Sequence, residues 1–411
     1  MDLDVYFKFI LTFGLILVAA RIGGEIAERY LKQPPVLGEL VAGIIISPFA
    51  LGLLIDDPII LNFATVEAFG LSEFSIMEVI SEIAVVVLLF VAGVRTDVRA
   101  FLRYGVTGGA VALGGVILPC TFGYLVAWAL YPDVGAAGWL FMGAVLTATS
   151  IGVTVRILMG MGKLQTREGT TILVGAVVDD IIAIVILSVA VSMAETGTTD
   201  IGHAVQIGAI GFAVWFGLLI AGIRFHRYIS KIFLNPFKRS GTMPIVALVI
   251  GFIIAYLVTL IDLHPVVGAY VAGLIFAATD AKDEIAKMTR PIMLFLAPFF
   301  FCYLGMQVDM PILVDGAVIA IILIVLATIG KIVGCYIPAR LVGKLSHNSS
   351  MIVGIGMVPR AEVGLIIAGA GLLSGAIDRE LFGAAVAVSI VTTLIAPAML
   401  KPFFRRAPAP Q

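Results

Sequence analysis

The chain has 411 residues, of which 61% are apolar and only 13% charged, and its mean hydropathy is +1.12. Those values exclude an ordinary soluble globular protein and indicate a polytopic, all-α membrane protein. The net charge of −1 says nothing of partners, because in a membrane protein the positions of the charges carry the information. No nucleic-acid partner is expected.

A crossing needs about 20 predominantly apolar residues, and thirteen stretches meet that need. Their cores lie at 5–28, 34–55, 74–94, 101–130, 136–160, 168–194, 203–233, 242–261, 264–279, 290–307, 312–338, 349–374 and 380–403, the ninth being short. No cleavable signal pattern precedes the first, so Met1 onward reads as mature protein. If the N-terminus is outside and the C-terminus cytoplasmic, 21 of the 26 Lys and Arg residues fall on the cytoplasmic side, as the positive-inside rule requires. Lys8 and Arg379 fall outside, with the acidic Asp56 and Asp57. Arg21, Lys331 and Arg360 lie within spans and are candidates for internal pairing. Cys120, Cys302 and Cys335 fall in apolar runs and imply no disulfide framework, and His203, His226, His264 and His347 read as surface residues near loops.

The chain repeats itself. Pro35-Val-Leu-Gly-Glu-Leu-Val-Ala-Gly-Ile-Ile45 returns as Pro265-Val-Val-Gly-Ala-Tyr-Val-Ala-Gly-Leu-Ile275, identical at seven of eleven positions. Weaker echoes at an offset of 212 join Gly93 and Asp97 to Gly305 and Asp309, and Ser150-Ile-Gly-Val153 to Glu362-Val-Gly-Leu365. Spans two, three and five therefore correspond to nine, ten and twelve, a displacement of seven that inverts the second copy in the membrane. We divide residues 1–403 into repeat one (about 5–194), a linker helix (about 203–233) and repeat two (about 242–403), followed by a short cytoplasmic tail at 404–411. Inverted repeats are the architecture of many secondary transporters, whose site lies at the midplane beside interrupted helices. The spans to suspect are the fifth, with Thr147-Ala-Thr-Ser-Ile-Gly152, and the twelfth, with Gly356-Met-Val-Pro-Arg-Ala-Glu362. Pro359 lacks a donor and breaks its helix, and hydroxyls and freed carbonyls are hard oxygen ligands suited to an alkali cation.

Asp179 and Asp180 lie in the middle of the sixth span. An ionised carboxylate at that depth costs roughly 2.5 to 3.5 kcal/mol on insertion scales, which makes it a functional-site hypothesis by default. Neighbours on a helix point about 100 degrees apart, so the two do different work. Lys331 is the candidate partner for one, and a static salt bridge is the bland alternative for that pair. The other has no obvious permanent cation, so it needs an exchangeable one. Arg360 and Glu362 form a second possible pair, while Glu39 and Glu82 read as structural residues near the membrane surfaces.

In these residues the chain resembles the second cation:proton antiporter family, within the sodium/hydrogen exchanger superfamily of NapA-like and Kef-like transporters. The resemblance covers nearly the whole chain and rests on Thr149-Ser150, Asp179-Asp180, Lys331 and the Pro359 to Gly364 stretch. It implies a homodimer in a prokaryotic plasma membrane, acting in pH homeostasis, with two crossed discontinuous helices in a core that moves like an elevator. It implies Asp180 as the residue exchanging Na+, Li+ or K+ for protons, Thr149 and Ser150 as oxygen donors, and Asp179 as partner to Lys331. Aspartate at both positions resembles the electrogenic sodium branch, whereas Kef-like potassium members tend to carry glutamine first. With so little chain beyond residue 403, a nucleotide-binding regulatory domain is not expected. A K+/H+ antiporter, a sodium-coupled solute symporter and a cation channel are the alternatives. No cofactor and no enzymatic constellation is expected.

Overall fold

The computed structural model describes residues 3–47, 65–66, 71–196, 201–261, 263–307 and 317–406. Asp56, Asp57 and Asp309 lie outside them, as do the side chains of Lys8, His203 and Glu362. In chain order the helices are α1 (Leu3–Arg29), α2 (Pro35–Ile46), α3 (Ile76–Arg95), α4 (Gly105–Leu130), α5 (Gly135–Thr147), α6 (Ile151–Gly160), α7 (Arg167–Thr196) and α8 (Ile201–Arg224). They continue with α9 (Met243–Thr259), α10 (Pro265–Ala277), α11 (Lys282–Met306), α12 (Ala317–Leu341), α13 (His347–Gly356), α14 (Glu362–Leu373) and α15 (Arg379–Arg406). A small antiparallel ribbon, β1 (Thr65–Val66) with β2 (Leu71–Ser75), precedes α3 and departs from the all-helical expectation.

Among the described residues, eight helical stretches are long and apolar enough to cross a bilayer, or nine if Gly208–Arg224 and His226–Phe237 form one crossing. Four more apolar helices are shorter: Pro35–Ile46, Met243–Thr259, Pro265–Ala277 and Val363–Leu372. Among the described residues, the helices long enough to cross are fewer than the thirteen expected stretches. Interruption shortens some, and the expected seventh core bends by 72° after Arg224, so its last residues leave the helix axis. The fourth begins later than expected because Asp97 caps a separate turn, Val98–Arg103, by accepting from the backbone N–H groups of Arg99 and Ala100.

The helices pack in two groups, α1, α2, α3, α9, α10 and α11 in one and α4 to α7 with α12 to α15 in the other, and α8 lies against both, on α10 and on α7. Within the first, the repeat glycines exchange partners. A Cβ on Gly43 of α2 would collide with the Cys302 carbonyl and lie 3.0 Å from the Gly305 Cα of α11, while one on Gly273 of α10 would lie 2.8 Å from the Gly93 Cα of α3. Each repeat's signature helix thus packs on the other repeat, and close backbone approach is what small residues permit in a bilayer. In the second group α12 shows how a lysine is accommodated. Ile321, Val325, Ile329, Val333 and Ile337 form an exposed apolar stripe at steps of four, and Ala327, Gly330, Lys331 and Gly334 lie on the buried face.

Candidate functional site

The chain leaves its helical path twice, and the two places meet. Residues 148–150 separate α5 from α6, and residues 357–361 separate α13 from α14. The Ser150 N–H donates to Pro359 O at 2.8 Å, the Thr149 hydroxyl to Met357 O at 3.1 Å, and the Thr154 hydroxyl to Gly356 O at 3.1 Å. The Ser150 hydroxyl oxygen also accepts from Val153 N at 3.2 Å, capping the start of α6. Carbonyls freed at a helix end need donors, and inside a membrane water cannot be relied on to supply them.

Two cations complete that task. Lys331 is fully buried, and its Nζ donates to Asp179 Oδ1 at 2.8 Å, to Thr147 O at 2.5 Å and to Gly115 O at 3.0 Å. The guanidinium of Arg360, also fully buried, donates from Nε and Nη2 to Leu146 O at 3.0 and 2.6 Å, from Nη2 to Ala327 O at 3.1 Å and from Nη1 to Val358 O at 2.8 Å. The carbonyl of Arg360 accepts from the Thr393 hydroxyl. Lysine and arginine thus converge on the last turn of α5, the negative end of that helix dipole. Arg360 places these donors on main-chain carbonyls, and the side chain of its expected partner Glu362, the residue that opens α14, lies outside the described residues.

Asp179 and Asp180 are 0% and 3% exposed on α7, so both carboxylates lie inside the protein. Asp179 and Lys331 meet as the sequence suggests, and Thr149 and Ser150 meet the opposite interruption. The hydroxyls of Thr154 and Thr393 and the carbonyls of Gly115, Leu146, Ala327 and Val358 escaped the sequence reading, and no residue type could have flagged the carbonyls. Away from this centre, Glu39 is buried and joins Arg156 Nη2 at 2.7 Å, and the Arg21 guanidinium donates to Leu294 O. Of the histidines, His264 accepts from Val266 N at the start of α10, and His347 contacts Tyr336 Oη at 2.9 Å.

A polytopic helical membrane fold with two abutting interruptions, and with buried carboxylates, a lysine and an arginine beside them, is the arrangement of an integral membrane transporter. The profile of the sodium/hydrogen exchanger transmembrane family matches residues 13–406, and the chain belongs to that family. It is 33% identical to the high-affinity Na+/H+ antiporter NhaS3 of Synechocystis sp. over 97% of this chain and 90% of that one. It is 34% identical to the Na+/H+-K+ antiporter GerN of Bacillus cereus over 96% of both. The fold is that of the sodium proton antiporter MjNhaP1 of Methanocaldococcus jannaschii, with a TM-score of 0.70, 17% identity and full coverage of both chains.

Proposed function

We propose that this chain is a secondary active monovalent cation:proton antiporter that exchanges Na+ for H+ at Asp180. One observation carries the reading: of two adjacent buried aspartates, one is held by a lysine whose three protons are all placed, and its neighbour points elsewhere on the helix beside the joined interruptions. A carboxylate that takes either a proton or a metal cation is an exchange device, provided each loaded form can change access and the empty anion cannot. The named activities of the two relatives agree with it, and GerN's name keeps K+ beside Na+ as a second cargo. Thr149 and Ser150, at the first interruption, add oxygens to the site in this reading. The carbonyls at the interruptions already accept protein donors, so the cation draws chiefly on the carboxylate and hydroxyls.

In this reading thirteen crossings bring the C-terminus to the cytoplasm, the two helix groups are a dimer-forming scaffold and a mobile core, and the core rides as an elevator through crossed half-helices. When protons are scarce inside, Asp180 ionises and takes a sodium ion, and Asp179 and Lys331 respond as one coupled cluster, making turnover electrogenic. The test is a sodium gradient imposed on proteoliposomes with a pH dye inside. Asp180→Asn is expected to abolish sodium-driven proton movement, and retained exchange would remove Asp180 from the role.

A further inference from the structure

The seam between the two helix groups is open at one end and shut at the other. Along its first turns α2 borders a cleft of about 350 Å³ that also receives Arg21, Arg95, Arg290, Glu25 and Glu28. One turn further on, Leu40 and Ile44 of α2 line, with Ala361, Leu365, Val386 and Ile390, a void of only about 20 Å³, so the seam is far narrower there. At the floor of the open side Glu39 of α2 meets Arg156 of α6, with the two side chains 2% and 11% exposed. Among the described residues it is the one ion pair that joins the two groups.

We infer that Glu39 and Arg156 form a latch across the seam, holding the protein with the Arg21–Arg290 cleft open and the Leu40–Ile390 side closed. Arg156 stands on the helix that Ser150 caps, so anything that moves the joined interruptions moves the arginine. The contact is single. Glu39 Oε2 and Arg156 Nε have no hydrogen-bond partner among the described residues, so the pair lacks the two parallel bonds of the strongest arginine–carboxylate forks. Breaking a buried pair leaves an uncompensated charge, and the state that returns both groups to water then gains population.

This inference rests on the alternating-access reading, and its test needs no transport. In a background free of Cys120, Cys302 and Cys335, Ile390→Cys reports access from the closed side and Gly160→Cys from the open side, using a membrane-impermeant maleimide. Arg156→Gln is expected to raise the ratio of Ile390→Cys to Gly160→Cys labelling by about fivefold or more, Glu39→Gln to do the same, and Arg156→Lys to keep the wild-type ratio. An unchanged ratio in monodisperse Arg156→Gln protein overturns the latch. Where a single variant does not fold, a short bis-maleimide joined between Glu39→Cys and Arg156→Cys after purification reads the same thing. Bridged protein should hold the open-cleft labelling pattern and lose exchange, and full exchange with complete bridging means α2 and α6 never part. Exchange retained in Asp180→Asn would strike the cation site and leave these labelling results standing.

Discussion

A lysine ammonium has three protons to place, and at bilayer depth each needs a protein acceptor. Lys331 finds a carboxylate and two carbonyls, so it ties α4, α5, α7 and α12 together at one point. Removing it by Lys331→Met leaves the Asp179 carboxylate uncompensated, at a cost of about 3–5 kcal/mol. The expected outcome is a clear drop in melting temperature in detergent, largely recovered by adding Asp179→Asn. Equal losses from the single and the double variant would mean that the aspartate and lysine do not stabilise each other. The pair was legible because Lys331 is the lysine amid a long apolar run and Asp179 needs a cation. The partners of Arg360 were not. Its acceptors at Leu146, Ala327 and Val358 exist only once two helices have been interrupted and brought together, and nothing in a side-chain alphabet marks a carbonyl as free. Arg360→Lys keeps the charge but not the planar fork, so it should still lower the melting temperature, measured in the same assay.

At the scale of elements, the two interruptions were legible for different reasons. Pro359 breaks its helix chemically, whereas the break at 148–150 is signalled only by small and hydroxyl residues. Ser150 then starts α6 as any N-cap does. The bend after Arg224 falls inside what reads as one span, although Arg224, His226, Arg227 and Lys231 interrupt the apolar run there. The repeat was visible as text, yet its exchange of partners was not, because identity along a chain does not say which helix lies opposite. Gly43 and Gly273 are the positions where that exchange is tightest. A larger side chain there must push a helix backbone aside, and overpacking of this kind costs about 1–3 kcal/mol. Gly43→Val and Gly273→Val are each expected to lower thermal stability, whereas Gly109→Val, with no neighbour within 4 Å of its Cβ direction, should leave it near wild type. A similar loss in all three would show that close packing at Gly43 and Gly273 is not the cause, since valine is a better helix former than glycine.

For the whole molecule, the basic loops give an orientation that can be checked directly. Lys344 follows α12 and His226 follows α8, both on the side where Lys and Arg gather. In intact cells, cysteines at either position are expected to resist an impermeant thiol reagent until the membrane is opened; labelling in sealed cells would invert the topology. The two helix groups do not coincide with the two repeats. Each group draws helices from both halves of the sequence. The glycine faces of α2 and α3 enter the membrane before α10 and α11 exist, because their partners lie beyond the midpoint of the chain. During synthesis the first half must therefore wait with its closest-packing surfaces uncovered, held by lipid or by the insertion machinery, and a ribosome halted after α7 would release a fragment unable to finish either bundle.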